Sequence, residues 1–423
     1  MSTKDHKYIY ESPDNGKTIY RRPIGSDSRE QVSTEPFSWP LMKDCITDQD
    51  KIAMINFIKG TSRFTNGAKV KQFEEEWSKW LGCKHSLFVS SGSTANFLLL
   101  AAIKEKYNLK AGDKVLVPMM TWVTNISPVI QLGLSPIFCD IDPTHFSFNV
   151  DDMKRLAELH PDIKVVFVTH LFGFMAPIEE YMNILPNAIF LEDVCESHGA
   201  HNSNKKAGTY GEGSTFSSYF GHHMTTIEGG FVSTNDSELY NLMKMKRSHG
   251  MAREAMPAKY EEYKSKYSDI HPMFMFMTDG YNFRNTELNA VLGLSQLTFL
   301  DANNTIRRNN LDRFISIIKK YGLYTNFKIQ GNSSFCLPFI CSDKEQKNKL
   351  EQYLNQFNIE TRPLCSGNLL IQPFLSQFIE YDRNDSIVNK LHECGFFIGN
   401  NHMITEYEFT KLSELIHNFF NHN

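Results

Sequence analysis

Short apolar segments alternate with helical patterns along most of the chain, and this alternation restricts the fold more than any other feature of the sequence. The predicted strands are rich in Val, Ile, Leu and Phe, and they lie at residues 86–90, 114–118, 136–140, 165–169 and 188–191. They are separated by roughly 20 to 25 residues, which is the spacing of βαβ units. We therefore predict an α/β fold with a mostly parallel sheet between helices, in which ligands bind at the carboxyl ends of the strands.

The length of the chain, 423 residues, exceeds what one hydrophobic core usually supports, so we expect two domains. Residues 1–36 are polar and predict an N-terminal arm, in which a turn at 12–16 joins two short strands. Residues 37–311 form the predicted large domain, which ends with a long helical pattern after Asn285. Residues 312–423 are typical of a smaller α+β domain.

Composition excludes several classes of protein. The net charge of -4 is spread along the chain, which argues against nucleic acid or an anionic membrane surface as a partner. The longest apolar runs, such as 97–103, are too short to span a membrane, and the polar residues 1–8 are unlike a secretory signal. The eight cysteines are scattered without a CxxC pair, which predicts reduced thiols, no metal or iron–sulfur site and a cytoplasmic location.

The first candidate site is the segment 89–96, where a strand ends and a helix begins at about Ala95. Backbone N–H groups and the positive end of the helix dipole make Gly92 and Ser93 candidate ligands of an anion. An ordinary helix start with a Ser or Thr cap gives the same pattern, so the segment alone does not decide between them.

Two further candidates follow predicted strands. Asp193 ends the apolar run 190–193, where a carboxylate can pair with a pyridinium nitrogen and keep it protonated. Trp122 follows the strand at 114–118 and can stack on a planar ring. A solvated acid or helix cap is the alternative for Asp193, and a core or interface position is the alternative for Trp122.

The adjacent histidines His222 and His223 lie in a loop rich in Ser, Thr and Gly. They can be a catalytic base, metal ligands or ordinary polar residues. Adjacent histidines rarely both reach one metal and no HExxH spacing is present, so a metal site is disfavoured.

Taken in order, these segments resemble the DegT-type sugar aminotransferases, which have the aspartate-aminotransferase fold (fold type I). The resemblance runs from about Phe64 to His402. It is carried by the motifs SSGSTAN, GDKVLVP, LEDVCESHGA, GTYGEGSTFSS, TTIEGG and GYNFRNTELNAVLGLSQL. The resemblance implies a large cofactor-binding domain, a smaller C-terminal domain and pyridoxal or pyridoxamine 5'-phosphate as the cofactor.

The resemblance also implies a role for each matching residue. Gly92, Ser93 and Ser217 correspond to phosphate ligands of the cofactor, Trp122 to the residue stacked on its ring and Asp193 to the partner of its pyridine nitrogen. Glu196 falls in the same pocket. Asn282 resembles the residue that reaches the phosphate from the neighbouring subunit, which implies a homodimer.

The sequence departs from the aminotransferases at His222. Those enzymes carry a lysine six residues before the Glu of the EGG turn, whereas His222 lies six residues before Glu228. No lysine lies between Lys206 and Lys244, so the cofactor cannot be held covalently and its amine form can persist. The same change characterises the sugar 3-dehydratases, and the residues around His222 and at 359–363 resemble the branch that acts on GDP-4-keto-6-deoxy-D-mannose. The branch that acts on CDP-linked sugars carries an iron–sulfur cluster, and the scattered cysteines disfavour it.

The resemblance therefore implies a lyase of deoxysugar and lipopolysaccharide O-antigen synthesis, with a nucleotide-linked 4-keto-6-deoxy sugar as substrate and L-glutamate as amino donor. His222 is the expected base. His249, Arg284, Glu360 and Arg362 are candidates for substrate contacts, with structural salt bridges as the alternative for the three charged residues. His223 is either catalytic or structural. A sugar-nucleotide aminotransferase and an inactive sugar-nucleotide-binding relative are the competing interpretations.

Overall fold

The chain folds around a seven-stranded sheet in a computed structural model, which describes residues 8–11, 19–25, 27–32, 37–378 and 386–422. In chain order, the strands are β1 (Tyr8–Glu11), β2 (Ile19–Pro23), β3 (Glu30–Val32), β4 (His85–Val89), β5 (Lys114–Pro118), β6 (Ser135–Cys139), β7 (Ile141–Asp142), β8 (Ser147–Phe148), β9 (Val165–Thr169), β10 (Ile189–Asp193), β11 (His201–Asn202), β12 (Lys205–Lys206), β13 (Gly213–Ser217), β14 (Gly230–Thr234), β15 (Cys336–Ile340), β16 (Thr361–Pro363) and β17 (Gly395–Gly399).

The large sheet has the order β4-β14-β13-β10-β9-β5-β6. The pairs from β13 through β10, β9 and β5 to β6 are parallel, whereas β14 runs antiparallel to both of its neighbours. The predicted mostly parallel sheet is therefore confirmed, with strand ends that differ from the prediction by one or two residues. Strands β13 and β14 were not predicted, because their Gly, Ser and Thr residues are atypical of strands that are buried along their whole length.

Helices cover the large sheet and connect its strands. The helices are α1 (Asp48–Gly60), α2 (Ala68–Leu81), α3 (Gly92–Lys106), α4 (Ser127–Gln131), α5 (Val150–Leu159), α6 (Ile178–Ile184), α7 (Ser237–Lys246), α8 (Pro257–Lys266), α9 (Glu287–Leu297), α10 (Leu300–Ile318), α11 (Lys344–Gln356), α12 (Ile387–Cys394) and α13 (Glu406–His422). The apolar face of α2 packs on the sheet, where Trp77 stacks on Phe231 with 4.3 Å between ring centroids. Helix α9 agrees with the pattern predicted after Asn285.

The C-terminal part of the chain has its own three-stranded antiparallel sheet, of order β15-β17-β16. The predicted domain boundary at residue 312 falls inside α10, which runs without interruption from Leu300 to Ile318. Residues near the start of the predicted large domain also pack on the small sheet. The Trp39 backbone N–H donates to the Asn358 carbonyl at 2.8 Å, and its indole N–H donates to the Gly399 carbonyl at 2.8 Å.

In the arm, β1 pairs antiparallel with β2, and β2 with β3. The turn predicted at 12–16 lies outside the described residues. Among the helices of the described ranges, none is long and apolar enough to cross a membrane.

Candidate active site

A cavity of about 380 Å³ lies at the carboxyl ends of the large sheet, between it and the small sheet. Its walls come from the residues that follow β4 and β5, from the ends of β9, β10 and β13, and from the small sheet. The residues that line it include Ser91, Gly92, Ser93, Thr121, Trp122, Thr169, Asp193, Cys195, Glu196, Ser217, Tyr219, His222, Phe335, Cys336, Arg362 and Phe397. Both its size and its place in the fold are typical of a ligand site in an open α/β sheet.

One end of the cavity is the start of α3. The hydroxyl of Ser91 caps this helix by accepting from the Thr94 N–H at 3.1 Å, and the Thr94 hydroxyl accepts from the Ser91 N–H at 3.0 Å. The helix therefore begins at Gly92 rather than at about Ala95 as predicted. A methyl group on Gly92 would lie 2.7 Å from Cβ of Ser217, so glycine allows the helix start and the end of β13 to approach each other. Backbone N–H groups and hydroxyls at this end suit an anion.

The cavity is also lined by Asp193, whose side chain is 3% exposed. The side-chain amide of Asn96 donates to one oxygen at 2.8 Å, and the Cys195 N–H donates to the other at 2.9 Å. The hydroxyl of Thr215 donates in turn to the Asn96 side-chain oxygen. The sequence analysis assigned no role to Asn96 or Thr215. The signal for Asn96 was its position as a polar residue in the apolar run of α3, since buried amides need partners.

Trp122 forms part of the cavity wall and is 57% exposed, so a face of its indole ring is open to a ligand. The loop that carries it is fixed by Thr121, whose hydroxyl bonds the Asn125 side chain at 2.8 Å and the Thr169 hydroxyl at 3.0 Å. The open face of this ring is suited to stacking on a planar group.

Glu196 lies close to Asp193 in the cavity. Burial raises the pKa of the Glu196 carboxyl to about 7, and the nearby charge of Asp193 adds to the increase. The Phe172 N–H, which donates to the carboxyl at 3.1 Å, opposes it. Near neutral pH this carboxyl is consequently protonated in part of the molecules.

His222 lies in the loop that follows β13, and its backbone N–H donates to the Tyr219 carbonyl at 3.0 Å. Its ring contacts Phe335 with 5.4 Å between centroids. Burial lowers the pKa of the His222 imidazole to about 4, the charge of Arg307 lowers it further, and the backbone of Cys195 opposes both. Within the part of the chain that the structure describes, Nδ1 of His222 has no hydrogen-bond partner. A neutral imidazole with an unused nitrogen is the form that accepts a proton.

His223 points away from the cavity. It is 1% exposed, and its Nε2 contacts the Ser333 carbonyl at 3.1 Å. These contacts favour the structural interpretation of His223.

The predicted substrate residues fall into two groups. Arg362 lies in the cavity wall, whereas Glu360 accepts from the Leu41 N–H at 2.9 Å. Arg284 bonds the Asn282 side chain at 3.0 Å and approaches Nε2 of His249 at 3.5 Å. Among the described residues that line the cavity, Glu360 and these three are not found.

The cavity thus combines an anion site, an open indole face and a fixed carboxylate. This set of groups fits a phosphorylated pyridine. In the described ranges, His, Cys, Asp and Glu side chains form no group of three that could hold a metal ion.

Comparisons with known proteins agree with this fit. Residues 45–391 match the DegT/DnrJ/EryC1/StrS aminotransferase family. GDP-4-keto-6-deoxy-D-mannose 3-dehydratases from Escherichia coli O55:H7 and Yersinia pseudotuberculosis are each 33% identical to this chain, over 90% and 88% of its length and 99% and 95% of theirs.

Solved structures show the same likeness. The E. coli GDP-4-keto-6-deoxy-D-mannose-3-dehydratase with bound hydrated PLP has a TM-score of 0.81 and 31% identity, over 90% of this chain and 100% of that one. A structure of a GDP-4-keto-6-deoxymannose-3-dehydratase with a trapped PLP-glutamate geminal diamine has a TM-score of 0.79 and 30% identity, over 89% and 100%. The chain therefore belongs to the DegT/DnrJ/EryC1/StrS aminotransferase family and is a pyridoxal-phosphate-dependent enzyme.

Proposed function

We propose that the chain is a pyridoxamine-phosphate-dependent 3-dehydratase, which removes the C-3 hydroxyl of GDP-4-keto-6-deoxy-D-mannose and uses L-glutamate to restore the cofactor amine. The observation that carries the proposal is that His222, which the sequence resemblance aligns with the aminotransferase lysine, lies in the cavity wall. Among the described residues that line the cavity there is no lysine. The relatives that are 33% identical over most of the chain support the same substrate.

The residues of the cavity divide the work of holding the cofactor. Gly92, Ser93 and Ser217, which line the cavity, would bind its phosphate, and Trp122 would lie against its ring. Asp193, held by two hydrogen bonds, keeps a proton on the pyridine nitrogen. When bound, the protonated ring supplies an electron sink for cleavage of a bond to hydrogen next to the amine.

His222 moves the proton in this proposal. The neutral imidazole would take a proton from the cofactor carbon that carries the amine and would pass it to the departing 3-hydroxyl oxygen, which would leave as water. A lysine at this position would bind the cofactor covalently, whereas the histidine leaves the amine free to condense with the 4-keto group. Arg362 in the wall is the proposed contact to the substrate.

We also propose that the active enzyme is a homodimer. Asn282, Arg284 and His249 bond each other outside the cavity of their own chain. Because these side chains do not line the cavity of their own chain, we infer that they complete the cavity of a second copy. Asn282 would there reach the phosphate of the cofactor. Glu360 is a further proposed substrate contact at the dimeric site.

Product analysis tests the proposal. The purified chain is mixed with pyridoxamine phosphate, L-glutamate and GDP-4-keto-6-deoxy-D-mannose, and the products are separated and weighed by mass spectrometry. We expect a 3-deoxy sugar nucleotide, and without glutamate we expect one turnover per bound cofactor. An amino sugar would replace the proposal with the aminotransferase interpretation, and substrate binding without any product would replace it with the inactive relative.

A further inference from the structure

A group of buried basic side chains lies next to His222 but outside the cavity lining. The rings of His198 and His222 are 6.4 Å apart, with 11° between their planes. The rings of His198 and His223 are 5.3 Å apart, and these two residues are 0% and 1% exposed. Three imidazoles therefore form a stacked group of which His222 is the member that reaches the cavity.

Arg307, on α10, is the charged member of this group and is 4% exposed. Its guanidinium donates to the backbone carbonyls of Asn400 and, at 3.4 Å, Phe335. Its Nε has no partner, and no carboxylate of the described ranges forms an ion pair with it. The charge of Arg307 is therefore solvated by backbone dipoles but is not balanced by an anion.

A second buried arginine shows how the fold treats such a charge elsewhere. Arg247 is 2% exposed, and its guanidinium forms an ion pair with Glu74 at 2.5 Å. An unbalanced buried charge is costly, and pairing is the usual way to reduce that cost. Arg307 has the thiols of Cys45 and Cys336 as neighbours instead, and burial raises the pKa of both thiols, which leaves them uncharged near neutral pH.

The unbalanced charge acts on the imidazoles around it. Burial and then Arg307 lower the pKa of His223 and His402, and Arg307 also contributes to the lowered pKa of His198. Arg307 is connected to His222 through Phe335, whose carbonyl accepts from the guanidinium and whose ring contacts the imidazole. The other titratable or charged groups around His222 are the stacked imidazoles of His198 and His223 and the cavity-lining residues Asp193, Cys195, Glu196, Tyr219, Glu228, Cys336, Arg362 and Cys365.

We propose that Arg307 is a positioning residue of the dehydration, which acts through His222 and never touches the substrate. Its unbalanced charge adds to the effect of burial, and together they keep the imidazole in the neutral form that can accept a proton. The same charge repels the imidazolium once it has formed, so His222 gives the proton readily to the departing hydroxyl. This inference rests on the proposed function for its catalytic meaning, whereas the effect of Arg307 on His222 exists without any substrate.

The test is the protonation midpoint of His222 in the full-length apoprotein, measured by NMR with labelled histidine and assigned by the signal missing from His222→Asn. In Arg307→Met the midpoint should rise by about one pH unit, which is about a tenfold gain in proton affinity. Arg307→Lys keeps the charge and should leave the midpoint within a few tenths of a unit. Arg313→Met, which removes an exposed arginine paired with Glu406, is the matched control and should also leave it unchanged.

A second variant covers the case in which Arg307→Met does not fold. Cys45→Asp places a carboxylate beside the intact guanidinium and should raise the His222 midpoint, whereas Cys45→Asn should not. An unchanged midpoint in every folded charge variant would overturn the inference.

Turnover gives an independent measurement. In Arg307→Met, the acidic limb of the plot of kcat against pH should move to higher pH by about one unit, as the His222 midpoint does. If Arg307 has a purely structural role, kcat should fall at all pH values and the limb should stay where it is. If the midpoint moves but the parent chain does not dehydrate the sugar, the proposed function fails and the electrostatic role of Arg307 stands.

Discussion

Asp193 and His222 lie in the same cavity, and the fold treats them in opposite ways. Both oxygens of Asp193 accept hydrogen bonds, from the Asn96 side chain and the Cys195 N–H. The Nδ1 atom of His222 has no hydrogen-bond partner among the described residues, and the positive charge of Arg307 disfavours protonation of its ring. One residue is held in place by its hydrogen bonds, and the other is kept uncharged with Nδ1 of its ring unbonded.

The difference follows from the two kinds of work that we propose. A group that holds a proton on the cofactor ring must stay in one place and keep its charge, which hydrogen bonds to a carboxylate provide. A group that takes up and releases a proton must have a free lone pair. It must also not be held in its protonated form by a contact with a carboxylate. The substitutions below separate these two requirements.

Removal of the base should have the largest effect. In His222→Asn we expect turnover to fall by roughly 10²- to 10⁴-fold, because a general base contributes on this order. The affinity for pyridoxamine phosphate should stay within about threefold, since the phosphate and ring contacts remain. Steady-state product formation and fluorescence titration of the apoprotein measure the two quantities.

His223→Asn is the matched control for this substitution. It removes the adjacent imidazole, which contacts the Ser333 carbonyl rather than the cavity. It should keep turnover within about threefold while lowering thermal stability. A parent-like rate in His222→Asn, or a loss in His223→Asn as large as that expected for His222→Asn, would contradict the assignment of the base.

Loosening the locked residue should have a smaller effect. Asn96→Ala leaves one oxygen of Asp193 without its donor and the Thr215 hydroxyl without its acceptor. Loss of a hydrogen bond to a charged group costs roughly 1–3 kcal/mol, so the dissociation constant for pyridoxamine phosphate should rise by about 5- to 150-fold.

The control for the amide is Asn56→Ala, which removes an exposed asparagine from α1. It should not change cofactor affinity. Equal affinity in Asn96→Ala and in the parent would show that the Cys195 N–H alone is enough to hold the carboxylate.

The comparison also shows which parts of the site a sequence can reveal. Asp193 was predictable, because an acid at the end of an apolar strand is a local pattern. Asn96 and Thr215 bond each other across 119 positions of sequence, and Thr215 lies in a strand whose polar composition concealed it. Contacts of this kind depend on which helix crosses which strand, so neither residue was assigned a role.

Arg307 was missed for a related reason. It lies in α10, whose sequence LDANNTIRRNNLDRF is mostly polar and gives no sign that one of its two adjacent arginines is buried. The overall sheet was easier to predict, because a run of Val, Ile, Leu and Phe at regular spacing needs no knowledge of distant partners. Local patterns thus predicted the fold, and the resemblance to the family implied the cofactor pocket, whereas the buried charge of Arg307 became visible only in the three-dimensional packing.

The smallest predicted effect concerns Glu196 and His222, whose pKa values are shifted in opposite directions to about 7 and about 4. A carboxyl with a raised pKa favours the folded state at low pH, and this contribution is lost as pH rises from about 4.5 to 7. An imidazole with a lowered pKa favours the folded state at high pH, and this contribution is lost as pH falls from about 6.5 to 4. In the parent apoprotein, the two contributions to the free energy of unfolding therefore change in opposite directions between about pH 4.5 and 6.5.

Single substitutions should expose each slope. Relative to the parent, the free energy of unfolding of Glu196→Gln should increase as pH rises from about 4.5 to 6.5, and that of His222→Asn should decrease over the same interval. We expect differences on the order of 1 kcal/mol, less than the full shifts imply, because both side chains line a cavity that solvent can enter. Urea unfolding of the three apoproteins at several pH values measures the effect. If the free energy of unfolding depends on pH in the same way in all three proteins, neither pKa is shifted by folding. That result would contradict the opposite shifts of Glu196 and His222.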